Sequence, residues 1–226
     1  MSTRIETVVL DMAGTTVVDD GLVVDAFTRA WDRHEDGTEA ERSEAVRWVR
    51  ETMGRSKIEV FRHLLPEDRA QSLNTEFEAA YDELVREGRS AAIPGAEQAI
   101  AALRGEGRRV VLTTGFARRT ADAIVASLGW QDAVDLVLTP ADAGRGRPLP
   151  DLNLLALLRT GASSVEAIAV VGDTPSDIGS GRAAGAGVVA GVLTGATTRA
   201  EFDAAGADVV LDSVAQLPAL LRELGR

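Results

Sequence analysis

The stretch TVVLDMAGTTVVDDG, residues 7–21, decides the fold. Thr7–Leu10 is a short, nearly continuous apolar run, the pattern of a strand buried on both faces. Asp11 ends it. Gly14 lets the chain turn sharply, and Thr15 and Thr16 add hydroxyls. This is either an ordinary strand-ending turn or the edge of a ligand site, because open α/β sheets bind ligands beyond the carboxyl ends of their strands.

Outward from this stretch, further strands are expected at Arg109–Thr113, Asp135–Leu138, Ala167–Val171, Gly187–Leu193 and Asp208–Leu211. Amphipathic helices lie between them, at about Gly95–Glu106, Arg118–Leu128, Leu152–Arg159, Ser176–Ala184, Arg199–Ala204 and Val214–Leu224. Alternating strands and helices imply an α/β fold, a doubly wound, Rossmann-like parallel sheet. Residues 18–92 break the rhythm. They contain no good strand, and their helical segments fall near Val23–His34, Glu39–Met53, Lys57–Leu64 and Glu67–Glu87. Such a stretch is too long for a loop in a compact domain. The expected organisation is therefore an α/β core of residues 1–17 and 93–226 with a helical cap of residues 18–92 inserted after the first strand. Hinges are expected near Val17–Gly21 and Ser90–Gly95.

Composition narrows the function. The net charge of −11 argues against nucleic-acid or anionic-membrane partners. The absence of cysteine removes disulfides, thiol catalysis and zinc–thiolate sites. The opening MSTRIETVVL lacks the apolar segment of a signal peptide, and no stretch approaches a membrane span, so a cytoplasmic chain is expected. Of the 24 basic residues only Lys57 is a lysine. An arginine stays charged, whereas a lysine can become a neutral amine.

Polar clusters end three more segments. Thr113-Thr114-Gly115 offers a hydroxyl and backbone N–H groups to a phosphate at a helix start. Gly172-Asp173-Thr174-Pro175-Ser176-Asp177 brings two carboxylates to the same rim as Asp11, an oxygen-rich set suited to Mg2+. Gly144-Arg145-Gly146-Arg147-Pro148 is a glycine-spaced basic loop, from which an arginine could neutralise a phosphoryl group. Each alone is an ordinary turn, cap or solvated loop; together they point to phosphate chemistry. Two motifs are set aside. Gly185-Ala186-Gly187 leads into a strand rather than out of one, unlike a dinucleotide-binding loop. His34 and His63 lack metal-ligand spacing, while Trp31, Trp48 and Phe61 suit the insertion's own core.

DMAGTT, VVLTTG, GRP and VVGDTPSD, in this order, resemble the four motifs of the haloacid dehalogenase superfamily, and the insertion resembles its first type of cap. Ala13 in place of a second aspartate, TTG at 113–115, Arg147, and Met53-Gly54 before Lys57-Ile58 resemble its phosphonatase branch. The resemblance implies Asp11 as nucleophile, accepting the phosphoryl group. It implies Mg2+ held by Asp11, the Ala13 carbonyl and Asp173, with Asp177 as ligand or support. Thr113, Thr114, Gly115, Arg147 and Met53 would contact a small phosphonate or phosphate substrate. Lys57 would form a Schiff base with a substrate aldehyde, so that the breaking C–P bond needs no acid at position 13. A homodimer through cap helices is a further implication. The sequence departs from that branch at Phe116, where it has tyrosine, and at Val60, where it has histidine. The alternative is a phosphatase of small phosphate monoesters in which Lys57 only binds substrate, and a third reading is a non-enzymatic binding protein.

Overall fold

The computed structural model describes residues 3–34 and 37–226. Residues 1–2, at the expected start of the core, and 35–36, within the expected cap, lie outside the described residues. The first strand, β1 (Thr7–Asp11), is followed by four helices, α1 (Leu22–His34), α2 (Glu39–Glu51), α3 (Lys57–Leu64) and α4 (Glu67–Arg86). Then come α5 (Ala96–Gly105), β2 (Arg109–Thr113), α6 (Arg118–Ser127), β3 (Leu136–Leu138), the short α7 (Pro140–Ala143) and α8 (Asp151–Thr160). The chain closes with β4 (Ile168–Gly172), α9 (Pro175–Ala184), β5 (Val188–Val192), α10 (Arg199–Ala205), β6 (Val209–Leu211) and α11 (Leu217–Glu223).

The six strands form one parallel sheet in the order β3-β2-β1-β4-β5-β6. Alternation within each strand explains why the apolar runs are continuous. Val8 and Leu10 pack into one apolar cluster with Val110, Leu112 and Ala169. Val9 faces the other way, into a cluster with Val111, Val170 and Leu152 of α8. A period of two with both faces covered leaves no solvated side. The chain leaves β1 for β2 on one side and later returns to β4 on the other. The order therefore reverses at β1, and the crevice beyond such a switch is where open sheets hold ligands.

Two helical expectations change. The four-residue α7 was not foreseen. The single helix expected over Val214–Leu224 is a 3-10 turn, Val214–Gln216, followed by α11. Pro218 stands in the first turn of α11, where its missing N–H costs nothing.

The four-helix insertion leaves and rejoins the sheet by two adjacent connections. Val18 N–H donates to the Ala91 carbonyl at 2.8 Å and Ile93 N–H to Thr16 at 2.9 Å, around an antiparallel bridge between Val17 and Ala92. Inside, aromatic rings succeed one another. Phe27 packs on Trp31 and Phe61, Phe61 on Phe77, and Phe77 on Tyr81, with centroids 5.5–6.0 Å apart. Trp31 and Phe61 are buried as expected. Trp48 is only half-buried: it stacks on His63 and donates its Nε1–H to the Val60 carbonyl at 3.2 Å, bracing α2 against α3. His34 and His63 line one groove of about 750 Å3 on the outside of the insertion. No helix among the described residues is long and apolar enough to cross a membrane.

Candidate active site

Three strand ends bring the polar residues together. Asp11 ends β1 opposite Thr113, the last residue of β2, in direct register. Asp173 follows β4, the other neighbour of β1. Asp177 lies in the first turn of α9, where its carboxylate accepts the Thr174 N–H at 3.0 Å and hydroxyl at 2.5 Å. One carboxylate oxygen from each of Asp11, Asp173 and Asp177 lies within 4.8 Å of the others, and all three residues are buried.

The turn after β1 is built for this meeting. The N–H groups of Thr15, Thr16 and Val17 all donate to the Met12 carbonyl. Gly14 has φ +87°, and a Cβ there would stand 2.2 Å from the Asp173 carboxylate. Thr15 donates to Asp173 Oδ1 at 3.1 Å, and Thr16 to the Asp11 carbonyl at 2.9 Å. From the loop after β5, Thr194 donates to the Gly14 carbonyl at 2.6 Å. A Cβ at Gly195 would meet Asp173 Oδ2 at 2.1 Å. Thr194 and Gly195 lie outside the expected motifs; only the bare glycine beside a hydroxyl hinted at them.

Arg147 is buried among the carboxylates. Its Nη1 lies 2.5 Å from Asp11 Oδ1 and also pairs with Asp177. Its Nε is buried with no hydrogen-bond partner among the described residues. Burial opposes the guanidinium charge, but Asp11 and Asp177 outweigh it and hold the pKa above the usual arginine range. Asp11 is pushed up to about 6 by burial, with Asp177 adding and Arg147 opposing. Asp173 is raised well above the carboxylate range, by burial first and then by Asp11 and Asp177. Crowded buried carboxylates of this kind gain from a hard divalent cation that relieves their repulsion. The Ala13 carbonyl, which accepts no hydrogen bond among the described residues, adds a further oxygen. The donor set therefore fits Mg2+. Both Asp177 oxygens are already engaged, which suits a supporting part better than direct ligation.

The loop after β2 faces the insertion. Thr113 and Thr114 are buried, and the Thr114 hydroxyl accepts the Phe116 N–H at 3.2 Å. A Cβ on Gly115 would stand 2.2 Å from the Arg55 carbonyl, so its bareness admits the backbone of the insertion. The Gly115 carbonyl in turn accepts the Lys57 N–H at 3.1 Å. Met53 is half-buried against the main apolar cluster.

Lys57 begins α3 and is only 6% exposed. Its Nζ lies 5.4 Å from the centre of the Phe116 ring. Burial lowers its pKa from 10.5 to about 8; Asp19, the strongest opposing charge, pulls it back up, and Arg147, Asp11 and Asp173 also act on it. Asp19 was not singled out in the sequence. It caps α1 through the Val23 N–H at 3.2 Å. The large outer groove at His34 and His63 shares none of these residues, so the site is located by chemistry and not by volume.

Comparison with known proteins gives the family. Residues 5–185 match the family model of haloacid dehalogenase-like hydrolases. The phosphonoacetaldehyde hydrolase of Bacillus cereus is 31% identical over 214 residues, covering 86% of this chain and 78% of that protein. A Dickeya dadantii protein named "Probable phosphatase IndB" is 26% identical over 215 residues, covering 93% and 90%. The crystal structure of a phosphonoacetaldehyde hydrolase-like protein from Oleispira antarctica superposes with a TM-score of 0.80 at 25% identity, covering 100% and 94%. The matched span contains the carboxylate cluster, Arg147 and the whole insertion, and the chain belongs to the haloacid dehalogenase-like hydrolases.

Proposed function

We propose that the chain is a magnesium-dependent, phosphonatase-like hydrolase. It cleaves a small carbonyl-bearing phosphonate, phosphonoacetaldehyde or a relative, through an aspartyl-phosphate on Asp11 with Lys57 as Schiff-base lysine. One observation carries this reading. The chain's only lysine is buried with a depressed pKa and feels the charges of Asp11, Asp173 and Arg147, while the side chain two residues after Asp11 is a methyl group.

Asp11, the Ala13 carbonyl and Asp173 would hold the cation, with Asp177 in support, and bound there it supplies neutralisation of phosphoryl charge. Arg147, Thr113, Thr114 and the Gly115 backbone hold the phosphoryl oxygens, and Met53 bounds the organic end. The neutral Lys57 amine adds to the substrate carbonyl and water leaves, giving an iminium. An Asp11 carboxylate oxygen then attacks phosphorus. The electrons of the C–P bond pass to the iminium, leaving an enamine on Lys57 and the phosphoryl group on Asp11. Protonation of the enamine at carbon and hydrolysis free the aldehyde. Hydrolysis of the acyl phosphate frees phosphate and restores Asp11. Residues 18–92 act as a lid that brings Lys57 over the substrate.

A second reading is a phosphatase of small monoesters, favoured by the likeness to the Dickeya protein and by the apolar Val60 and Phe116 near Lys57. An alkoxide leaving group gains about 100- to 10,000-fold from a positioned acid, which Ala13 lacks. The discriminating experiment adds borohydride during turnover of phosphonoacetaldehyde with magnesium. A reduced adduct on Lys57 together with released phosphate is expected. Phosphate esters hydrolysed with no adduct would establish the phosphatase instead.

A further inference from the structure

The chain holds one tyrosine as well as one lysine, and the two flank the same ring. Tyr81 is buried on α4. Its ring lies 4.7 Å from that of Phe116, and Lys57 Nζ approaches the same Phe116 ring at 5.4 Å. Phe116 directly follows Thr113-Thr114-Gly115. The tyrosine ring from α4 and the amine from α3 therefore both approach Phe116 in the loop beyond β2.

Packing accounts for the ring but not for the hydroxyl. Asp82, the next residue, is buried but turned to Arg119; the other buried residues of α4, among them Leu73, Phe77, Ala80 and Leu84, are hydrocarbon, and Phe77 continues the aromatic series without any polar atom. A hydroxyl with no protein partner must find water or a ligand, and that of Tyr81 is not sealed away like the enclosed unpartnered atoms, so it borders accessible space. Among the described residues none hydrogen-bonds to the Tyr81 hydroxyl. Burial, with the negative charges of Asp19 and Asp11 acting on the phenol, holds its pKa above the ordinary range. The group is thus a protonated donor beside Phe116, with no hydrogen-bond partner among the described residues.

We infer that Tyr81 is a specificity residue. Its hydroxyl donates a hydrogen bond to an oxygen on the carbon chain of the substrate, so that the site selects oxygen-bearing phosphonates over hydrocarbon ones. This rests on the reading that the phosphoryl group sits at Asp11, and it assigns the recognition of the organic end to α4 as well as to Lys57.

The test uses the intact protein with magnesium and three ligands followed by calorimetry: inorganic phosphate, 2-hydroxyethylphosphonate and propylphosphonate. The last two differ by a hydroxyl in place of a methyl group, and neither can form an imine with Lys57. The wild type is expected to prefer the hydroxyl ligand. Tyr81→Phe, which keeps the ring, is expected to lower that preference about fivefold to tenfold while leaving phosphate affinity within about twofold. An unchanged preference, or no preference in the wild type, overturns the inference. Failure of phosphate to bind the wild type overturns the reading of the Asp11 site beneath it, a separate result. A measurement without substitution closes the case. With 3-fluorotyrosine incorporated, the chain gives a single fluorine resonance, expected to move further with 2-hydroxyethylphosphonate than with propylphosphonate. Equal shifts would count against Tyr81.

Discussion

The sheet rim and the helical insertion meet the same space with different means. The rim brings Asp11, Thr113, Arg147, Asp173 and Asp177 from separate strands and loops; Arg147 joins Asp11 to Asp177, and Thr15, Thr16 and Thr174 hydrogen-bond to Asp173, Asp11 and Asp177. The insertion brings Lys57 and Tyr81 on helices packed around an aromatic core, and these two touch the rim chiefly through Phe116. The network on the rim is over-determined, so its groups are held where charge must be neutralised whatever the leaving group. The insertion is joined to the rim at a few points, so its groups can differ without disturbing the network. On the proposed reading, chemistry common to phosphoryl transfer belongs to the first region and choice of substrate to the second.

The strongest way to break that division is at Asp11. Asp11→Asn is expected to lower turnover of every substrate by roughly 10,000-fold or more while leaving a folded protein, since the proposed reading places the phosphoryl group on Asp11. Rapid-quench assays with a melting curve check this. Residual activity on one substrate class would show that the rim does not supply the common step.

A smaller and more selective effect is expected from the insertion. Lys57→Arg keeps the charge and removes the amine. Turnover of a carbonyl phosphonate should fall roughly 1,000-fold, and any hydrolysis of phosphate esters should stay within about tenfold. Loss of both together would merge the two regions into one function. The pH profile sharpens the point. With a pKa of about 8, the neutral amine grows as pH rises through 8 instead of through 10.5, so borohydride trapping at Lys57 should rise over that window. The same shift sets a sign for stability. Between about pH 8 and 10.5 the unfolded chain binds the extra proton, so the wild type gains stability with rising pH relative to Lys57→Met. Denaturant titrations at pH 8 and 10 measure that difference.

Lesser again is the expected effect at the junction. Gly115→Ala would bring a Cβ to 2.2 Å from the Arg55 carbonyl, and backbone cannot swing away as a side-chain tip can. Lifting Lys57 from the loop should cost about tenfold in kcat/KM on carbonyl phosphonates and less on phosphate esters. Equal losses on both would mean that the loop after β2, and not the insertion, carries the damage.

These positions also mark how much could be read in advance. The strands were legible almost to the residue because both sheet faces are buried and the apolar runs stop at Gly, Asp and Thr. Asp11, Asp173 and Lys57 were legible because their residue types are conspicuous where they stand. The four-residue α7 is too short to show a helical period. Pro218 hid a boundary inside what read as one helix. Tyr81 falls at a core position of an amphipathic helix, where periodicity predicts burial and is silent about the hydroxyl. The approaches of Gly115 to Arg55 and of Gly195 to Asp173 join residues distant in the chain, and no local pattern announces them. Arg147 was expected to face a phosphoryl group; its pairing with both Asp11 and Asp177 depends on how three loops converge.

The gentlest test concerns an ion pair that spans α4 and α6. Arg119 Nε lies 2.9 Å from Asp82 Oδ2, linking the residue beside Tyr81 to a helix of the sheet. Arg119 is 73% exposed at its side chain, which screens the attraction, whereas Asp82 is only 9% exposed, so the pair is worth about 1 kcal/mol, the upper end for such contacts. In a chain of this size that corresponds to roughly 2–4 °C in melting temperature. Arg119→Ala should therefore melt slightly lower at low salt, and the gap should close as ionic strength rises. Activity should barely change on phosphate esters, and on carbonyl phosphonates the effect should appear in KM before kcat, since loosening α4 weakens the hold on the organic end without touching Asp11. A fall in kcat on both substrate classes would mean that α4 helps to shape the carboxylate network, and the separation between the two regions would have to be redrawn.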